Sequence, residues 1–260
     1  PNPNEQNPAD GRSFDGQHST EQTYVAEKTS RTNAPSLSVI TATNPTRLAK
    51  HFELVNDKLV KHPGGELVRG TYRRVEAQGA QGLADLISSL AINQALTFGV
   101  AAVEEAPIAS TKRAQAGDIT RTRSHFDWPS GPGVMFIDYD PQPDTVPLSP
   151  DQFIATLINV WPELATAPAV QASSGSAYIY RAGNDECLKG AGGLRLWVPV
   201  AEARDIPRAG AALADRLWLA GHGRYQVSTS GTLLARTLID GAVFQPERLD
   251  FASGASCGPG

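Results

Sequence analysis

A chain of 260 residues with 40% hydrophobic and 19% charged side chains can bury a substantial core, as one large or two small domains. Its formal net charge of -4 argues against a protein that coats nucleic acid non-specifically, although a local basic groove stays open. No window approaches the ~18 uninterrupted apolar residues of a membrane span, and Cys187 and Cys257 form no Cys-x-x-Cys pair, which sets aside a disulfide framework and a cysteine-built zinc site.

Residues 1 to 36 are rich in Asn, Pro, Gln, Ser and Thr and hold almost no aliphatic side chains, so disorder or loose wrapping is expected there. Residues 37 to 260 carry the patterned region and are read as one domain. With Pro at position 1 and patterning that runs nearly to Gly260, the sequence is read as a piece of a longer protein. Leu37, Val39 and Ile40 suggest a first strand, and residues 45 to 60 space their apolar side chains as a helix would. An extended segment is expected from Gly64 to Val75, where Arg69, Arg73 and Arg74 surround Tyr72. Leu83, Leu86, Ile87 and Leu90 form an i, i+3, i+4, i+7 stripe and predict a helix over Gly82 to Asn93, with a strand after it over Leu96 to Val103.

Lys112 to Arg123 is polar and basic, and Arg121 and Arg123 would share one face of an extended segment leading to the next strand. That strand is expected within Gly131 to Pro141, where the apolar run from Val134 ends in Asp138 and Asp140, which period-2 alternation puts on the same side. Ser149, Pro150 and Gln152 then form a capping-box start for a helix reaching about Leu164. Two strand patterns follow, Val170 to Tyr180 and Gly190 to Val200, each broken or preceded by small residues. A helix over Pro207 to Ala220 closes at Gly221, and Arg224 to Ser228 resumes a strand. Gly231 to Asp240 reads as a strand or a short helix that ends in a third acid. Strands and helices mixed throughout, with two hairpins, fit an α/β or α+β fold on an antiparallel or mixed sheet. No Gly-x-Gly-x-x-Gly follows a strand and no Gly-Lys-Ser/Thr loop occurs, which removes Rossmann and P-loop readings.

Asp138, Asp140 and Asp240 each end an apolar run. Adjacent carboxylates repel unless a cation sits between them, and hard divalent ions choose oxygen ligands of this kind. A carboxylate triad on neighbouring elements is what two-metal phosphoryl transfer needs. Val134 to Ile137 with Asp138 and Asp140, the Ser/Gly-rich strand around Ser173 to Ser176, and Leu238-Ile239-Asp240 followed by Glu247 to Phe251 together resemble the three-motif core of the archaeo-eukaryotic primase superfamily. The likeness covers about residues 95 to 256 and is closest to primase-polymerase domains of bacterial mobile elements and phages.

The resemblance implies a primase core: an RRM-like mixed or antiparallel sheet joined to a small N-terminal α/β unit. It implies a DNA primase or polymerase, with two Mg²⁺ or Mn²⁺ ions held by Asp138, Asp140 and Asp240. The implied partners are a single-stranded DNA template, nucleoside triphosphates and a helicase domain or protein, in a cytoplasmic setting and away from any membrane. The family's second motif is Ser-x-His on a strand. Ser176-Ala177-Tyr178, opened by Ser173-Ser174-Gly175, keeps the serine and sets Tyr178 where His is implied, and this placement is preferred. Gly193-Leu194-Arg195, held in reserve, sets Arg195 there instead. Arg can bind phosphate as a permanent cation, whereas Tyr can only hydrogen-bond. Ser174, Ser176, Tyr178 and Arg195 are thus nucleotide-binding candidates, with Arg121, Arg123, Arg236 and Arg248 as further phosphate or template contacts.

Three other readings use the same residues. The altered second motif fits a degenerate primase domain that binds DNA or nucleotide in replication initiation without polymerising. Clustered acids also serve metal-dependent nucleases. In an ordinary α/β binding protein the acids would merely end strands.

Overall fold

The computed structural model describes residues 34–141 and 146–260, together with the backbone of residues 23–24. Most of the N-terminal segment expected to be disordered lies outside the described residues.

In chain order the elements begin with β1 (Thr23–Tyr24), β2 (Ser36–Asn44), β3 (Lys50–Val55), β4 (Lys58–His62) and β5 (Arg69–Glu76). Helix α1 (Gly79–Ser88) leads to β6 (Gln94–Thr97), β7 (Glu105–Ala109) and β8 (Ile119–Thr120). Then come β9 (Gly133–Tyr139), α2 (Pro150–Val160), β10 (Val170–Ser173), β11 (Ile179–Tyr180), β12 (Cys187–Lys189) and β13 (Leu194–Val200). The chain closes with α3 (Ile206–Leu217), β14 (Arg224–Val227), β15 (Leu233–Arg236) and β16 (Ala255–Cys257). The architecture is mixed α+β: few helices and several sheets.

A four-stranded antiparallel sheet runs β1-β10-β13-β9, and a five-stranded sheet runs β6-β2-β5-β7-β8. Strand β9 is apolar from Val134 to Ile137, and every one of those side chains is buried, which is why an uninterrupted hydrophobic run forms a strand here. Its two faces do different work. Phe136 stacks on Trp197 of β13 at 5.6 Å and meets Phe98 at 5.3 Å, so this face turns toward the five-stranded sheet. Tyr139 points the other way and stacks on Phe153 of α2 at 5.4 Å. Leu83 and Ile87 of α1, Leu157 of α2, and Leu213 and Leu217 of α3 complete the same core. Burying side chains of this size contributes about 1.5–3 kcal/mol each.

Local signals set several boundaries. Ser149 accepts from the Gln152 amide while the Gln152 side chain accepts from the Ser149 amide, so the capping box fixes the start of α2. Gly221, at φ 88°, ends the turn that follows α3. Helix α1 lies a few residues earlier than its apolar stripe suggests.

Three expectations fail. The strand expected over Leu96 to Val103 is β6, which starts at Gln94 and stops at Thr97, because the Gly99 and Val100 amides turn away to the Pro246 and Asp127 carbonyls. Residues 45 to 60 form no helix: from Lys50 the chain runs into the β3–β4 hairpin, and Asn56 and Asp57 take φ of 50° and 64°, the left-handed pair that a two-residue turn between twisted strands demands. Strand β16 then adds in parallel beside β3. Arg121 and Arg123 do not lie on an extended lead into β9, because β8 stops at Thr120 and the Thr122 carbonyl accepts from the His125 and Phe126 amides in a tight turn. Among the described residues, no helix is long and apolar enough to cross a membrane.

Candidate active site

The pairing of β9 with β13 sets Arg195 directly opposite Asp138. Partners in such a pair share a face, so Asp138 and Arg195 extend the row begun by Phe136 and Trp197. Arg195 is buried; its Nε lies 3.9 Å from Asp138 Oδ1 and its Nη1 lies 3.3 Å from Asp250 Oδ1. The same Nη1 donates to the Phe251 carbonyl at 2.8 Å, while Trp197 Nε1 donates to Asp250 Oδ2 at 2.8 Å. Burial pushes the Asp250 carboxyl up, against the opposing pull of Arg195 and Trp197. Among the described residues the buried Arg195 Nε has no hydrogen-bond acceptor, and it lies toward Asp138.

Asp138 is the electrostatic centre. Burial raises its pKa from 3.8 to about 7; Arg195 pulls it down, and the charges of Asp140, Asp250 and Asp240 push it further up. Asp140, one residue beyond β9, is exposed. Asp240 follows β15 after a short loop, and its amide donates to the Asp138 carbonyl at 2.9 Å, which ties the loop to β9. Its carboxylate caps a 3₁₀ turn, Gly241–Val243, by accepting from the Ala242 amide at 2.9 Å, and its second oxygen makes no hydrogen bond among the described residues. Asp240 is therefore on neither a strand nor an α-helix.

The donors are carboxylate oxygens, the ligand class that suits Mg²⁺ or Mn²⁺. They share one field around Asp138, but no three His, Cys, Asp or Glu side chains among the described residues converge into a ready-made metal cage. Asp138, Asp140 and the second oxygen of Asp240 are the groups that could close on a divalent ion.

Cations and hydroxyls border the acids. Lys50 of β3 donates from Nζ to Ser176 Oγ at 3.5 Å. Burial lowers its pKa, as do Lys61 and Arg195, while Asp140 and Asp138 raise it. Lys189 of β12 behaves alike: burial first and then Lys61 lower it, and Asp140 raises it. Ser174 is buried, its Oγ 3.2 Å from Ser176 Oγ and its amide donating to the Gly193 carbonyl at 2.8 Å. Gly193 is required by space: a Cβ there would sit 2.6 Å from the Tyr139 carbonyl oxygen and 2.9 Å from Asp140 Oδ1.

The structure thus brings together Asp138, Asp140, Asp240, Arg195, Ser174 and Ser176. It sets Tyr178 apart: that residue turns at φ 53°, is 40% exposed, and its hydroxyl makes no hydrogen bond among the described residues. Of the two placements of the second motif, it is Arg195, not Tyr178, that stands against the acids, because the β9–β13 register puts it there. Arg121 donates to the Glu247 carbonyl at 3.1 Å and Arg123 lies 3.4 Å from the Glu247 carboxylate; burial first, and then Arg248, lower the Arg121 pKa, while Glu247 raises it. Arg236 is exposed on β15 opposite Arg224. None of these four arginines is among the charges that shift Asp138.

Sequence reasoning missed Lys50, Lys61, Lys189 and Asp250. The lysines occupy segments whose local patterns said nothing about the acids. The alternation of Leu249, Asp250 and Phe251 was the one available hint of an inward carboxylate. Compared with protein-family models, curated proteins and solved structures, the chain matches none.

Proposed function

We propose that the chain is a template-directed nucleotidyltransferase of the primase-polymerase kind, acting on nucleoside triphosphates along a single-stranded DNA template. The observation that carries this reading is the shared field of Asp138, Asp140 and Asp240 at the end of β9, bordered by Lys50, Ser176 and Arg195. Acids alone would suit many roles; acids edged by phosphate-binding groups suit phosphoryl transfer. In this reading the four-stranded sheet is the RRM-like core of a primase, and the five-stranded sheet belongs to its smaller N-terminal unit.

Each side chain then has a task. Asp138, Asp140 and Asp240 would hold Mg²⁺ or Mn²⁺, which when bound supplies charge neutralisation for the reacting phosphate. The Arg195 guanidinium, whose Nε lies 3.9 Å from Asp138 Oδ1, would meet an incoming phosphate oxygen beside the acids, and Asp250 and the Phe251 carbonyl keep it in place. Lys50 and Lys189 neutralise the rest of the triphosphate, and the Ser176 hydroxyl hydrogen-bonds it. Gly193 leaves room for the Asp140 carboxylate beside the serine loop. A cytoplasmic setting and a helicase partner go with this function.

Template-directed extension of a labelled primer, with Mg²⁺ or Mn²⁺ and either deoxynucleoside or nucleoside triphosphates, tests the reading. Incorporation that follows the template supports it; no incorporation under either metal overturns it. Arg195 in the place where the resemblance implies His favours a second reading, a domain that binds DNA and nucleotide without polymerising. That reading predicts retained triphosphate binding with no extension. Loss of labelled DNA in the absence of nucleotides would instead identify a nuclease.

A further inference from the structure

Among the described residues, strands β14 and β15 pair only with each other and join none of the larger sheets. An isolated two-stranded ribbon is marginal in water, so its exposed faces call for a reason. One face carries Tyr225, Val227 and Leu233, which are 67%, 64% and 65% exposed. The Trp218 ring meets Tyr225 edge-on at 5.2 Å and props it, and Gly223 gives the indole room, since a Cβ there would lie 2.2 Å from it. The tyrosine ring is thus held in place while most of its surface meets solvent.

The other face carries Arg224 and Arg236 as a direct cross-strand pair. Like charges in that relation repel, and an anion between them turns the repulsion into attraction. Arg236 has no partner among the described residues, and Arg224 donates only to the Thr237 carbonyl at 3.2 Å. From Arg216 to Ile239 the chain contains three arginines and no Asp or Glu, although the whole sequence carries a net charge of -4. Ser228, Ser230 and Thr232 add a row of hydroxyls at the tip. An exposed propped ring for stacking, paired guanidiniums and no acid match single-stranded nucleic acid. A purely apolar protein partner would leave the arginine pair unanswered.

We propose that the β14–β15 hairpin grips single-stranded nucleic acid wrapped over its unpaired β14 edge, stacking a base on Tyr225 on one face and holding backbone phosphates with Arg224 and Arg236 on the other. The chain passes from Arg236 to Asp240 in four residues, and Asp240 is bonded to Asp138, so a strand held by the hairpin leads toward the acids. That direction rests on the nucleotidyltransferase reading; the grip itself does not.

The test is fluorescence anisotropy of a labelled oligothymidylate with the full chain, without divalent metal, across a salt series. Tyr225→Ala should weaken binding at least about fivefold, as expected for a stacking contact. Arg236→Ala should weaken binding and flatten the logarithmic salt dependence by about 0.7. These side chains are exposed, and an unchanged thermal melting curve checks that each variant is folded. No binding by the wild type, or equal binding by all variants, overturns the proposal. Loss of a wild-type dimer in Tyr225→Ala with oligonucleotide binding unchanged also overturns it, assigning the face to a second copy. Failure of the two readings can be told apart. Wild type that extends no primer but loses oligothymidylate affinity in the hairpin variants keeps the grip and removes the polymerase. Wild type that extends primers, with hairpin variants that bind normally, does the reverse.

Discussion

Replacing Asp138 by Asn should stabilise the protein at pH 8 and leave it nearly unchanged at pH 4. The carboxyl rises from the ordinary aspartate value of 3.8 to about 7, chiefly through burial. A raised folded-state pKa means that the unfolded chain releases its proton first. Stability therefore falls as pH climbs from about 4 to about 7, and levels off above that. At about 1.4 kcal/mol per unit, the three-unit rise corresponds to about 4 kcal/mol. The side chain keeps 21% of its surface exposed, so solvent screens part of this and a gain of about 2–4 kcal/mol is expected. Asn keeps the shape and carries no charge to desolvate. Urea denaturation of both proteins at pH 4, 6 and 8 measures the difference directly. The raised Asp250 carboxyl contributes to both proteins and cancels. A variant less stable than wild type at pH 8, or a difference independent of pH, would refute the argument that Asp138 is strained by burial among other acids.

Other perturbations separate the parts of the site. Arg195→Ala leaves Asp250 buried without its counter-charge and should cost about 3–5 kcal/mol at pH 8 in urea denaturation, with part recovered in Arg195→Ala/Asp250→Asn. Gly193→Ala forces the new Cβ against the Tyr139 carbonyl and Asp140; it should lower primer extension about a hundredfold while costing only about 1–3 kcal/mol of stability. Lys50→Ala should raise the KM for nucleoside triphosphate about tenfold, since it removes one charge-assisted contact, without changing oligonucleotide affinity. Ser149→Ala removes the α2 cap and should lower stability by about 1 kcal/mol with no effect on extension.

What could be read from the chain was what a few neighbouring residues decide. Ser149 with Gln152 announced α2, Gly221 announced the end of the helical stretch after α3, and the run Val134 to Ile137 announced a buried strand. The β3–β4 hairpin was hidden because its apolar spacing also suits a helix, and Asn56-Asp57 is a weaker turn signal than a Gly-containing pair. Asp138 and Asp140 were legible as a pair, since alternation along one strand suffices. Arg195 beside Asp138 was not: their meeting depends on the register of two strands far apart in sequence, and a slip of one residue would turn Arg195 to the other face. Lys50 and Lys189 enter only through folding, because the hairpins that carry them come from opposite sides of the acidic strand in the sequence. Asp240 was legible as an acid at the end of an apolar run but not as the cap of a 3₁₀ turn, which local alternation cannot reveal.

The central claim is that Asp138, Asp140 and Asp240 act as one cation site for a nucleoside triphosphate. Titrating Mn²⁺ into the protein and following the paramagnetic resonance signal of the free ion measures this directly. Saturable Mn²⁺ binding by the wild type is expected, strengthened by nucleoside triphosphate and weakened at least tenfold in each of Asp138→Asn, Asp140→Asn and Asp240→Asn. Equal Mn²⁺ binding by the wild type and all three variants would contradict the account.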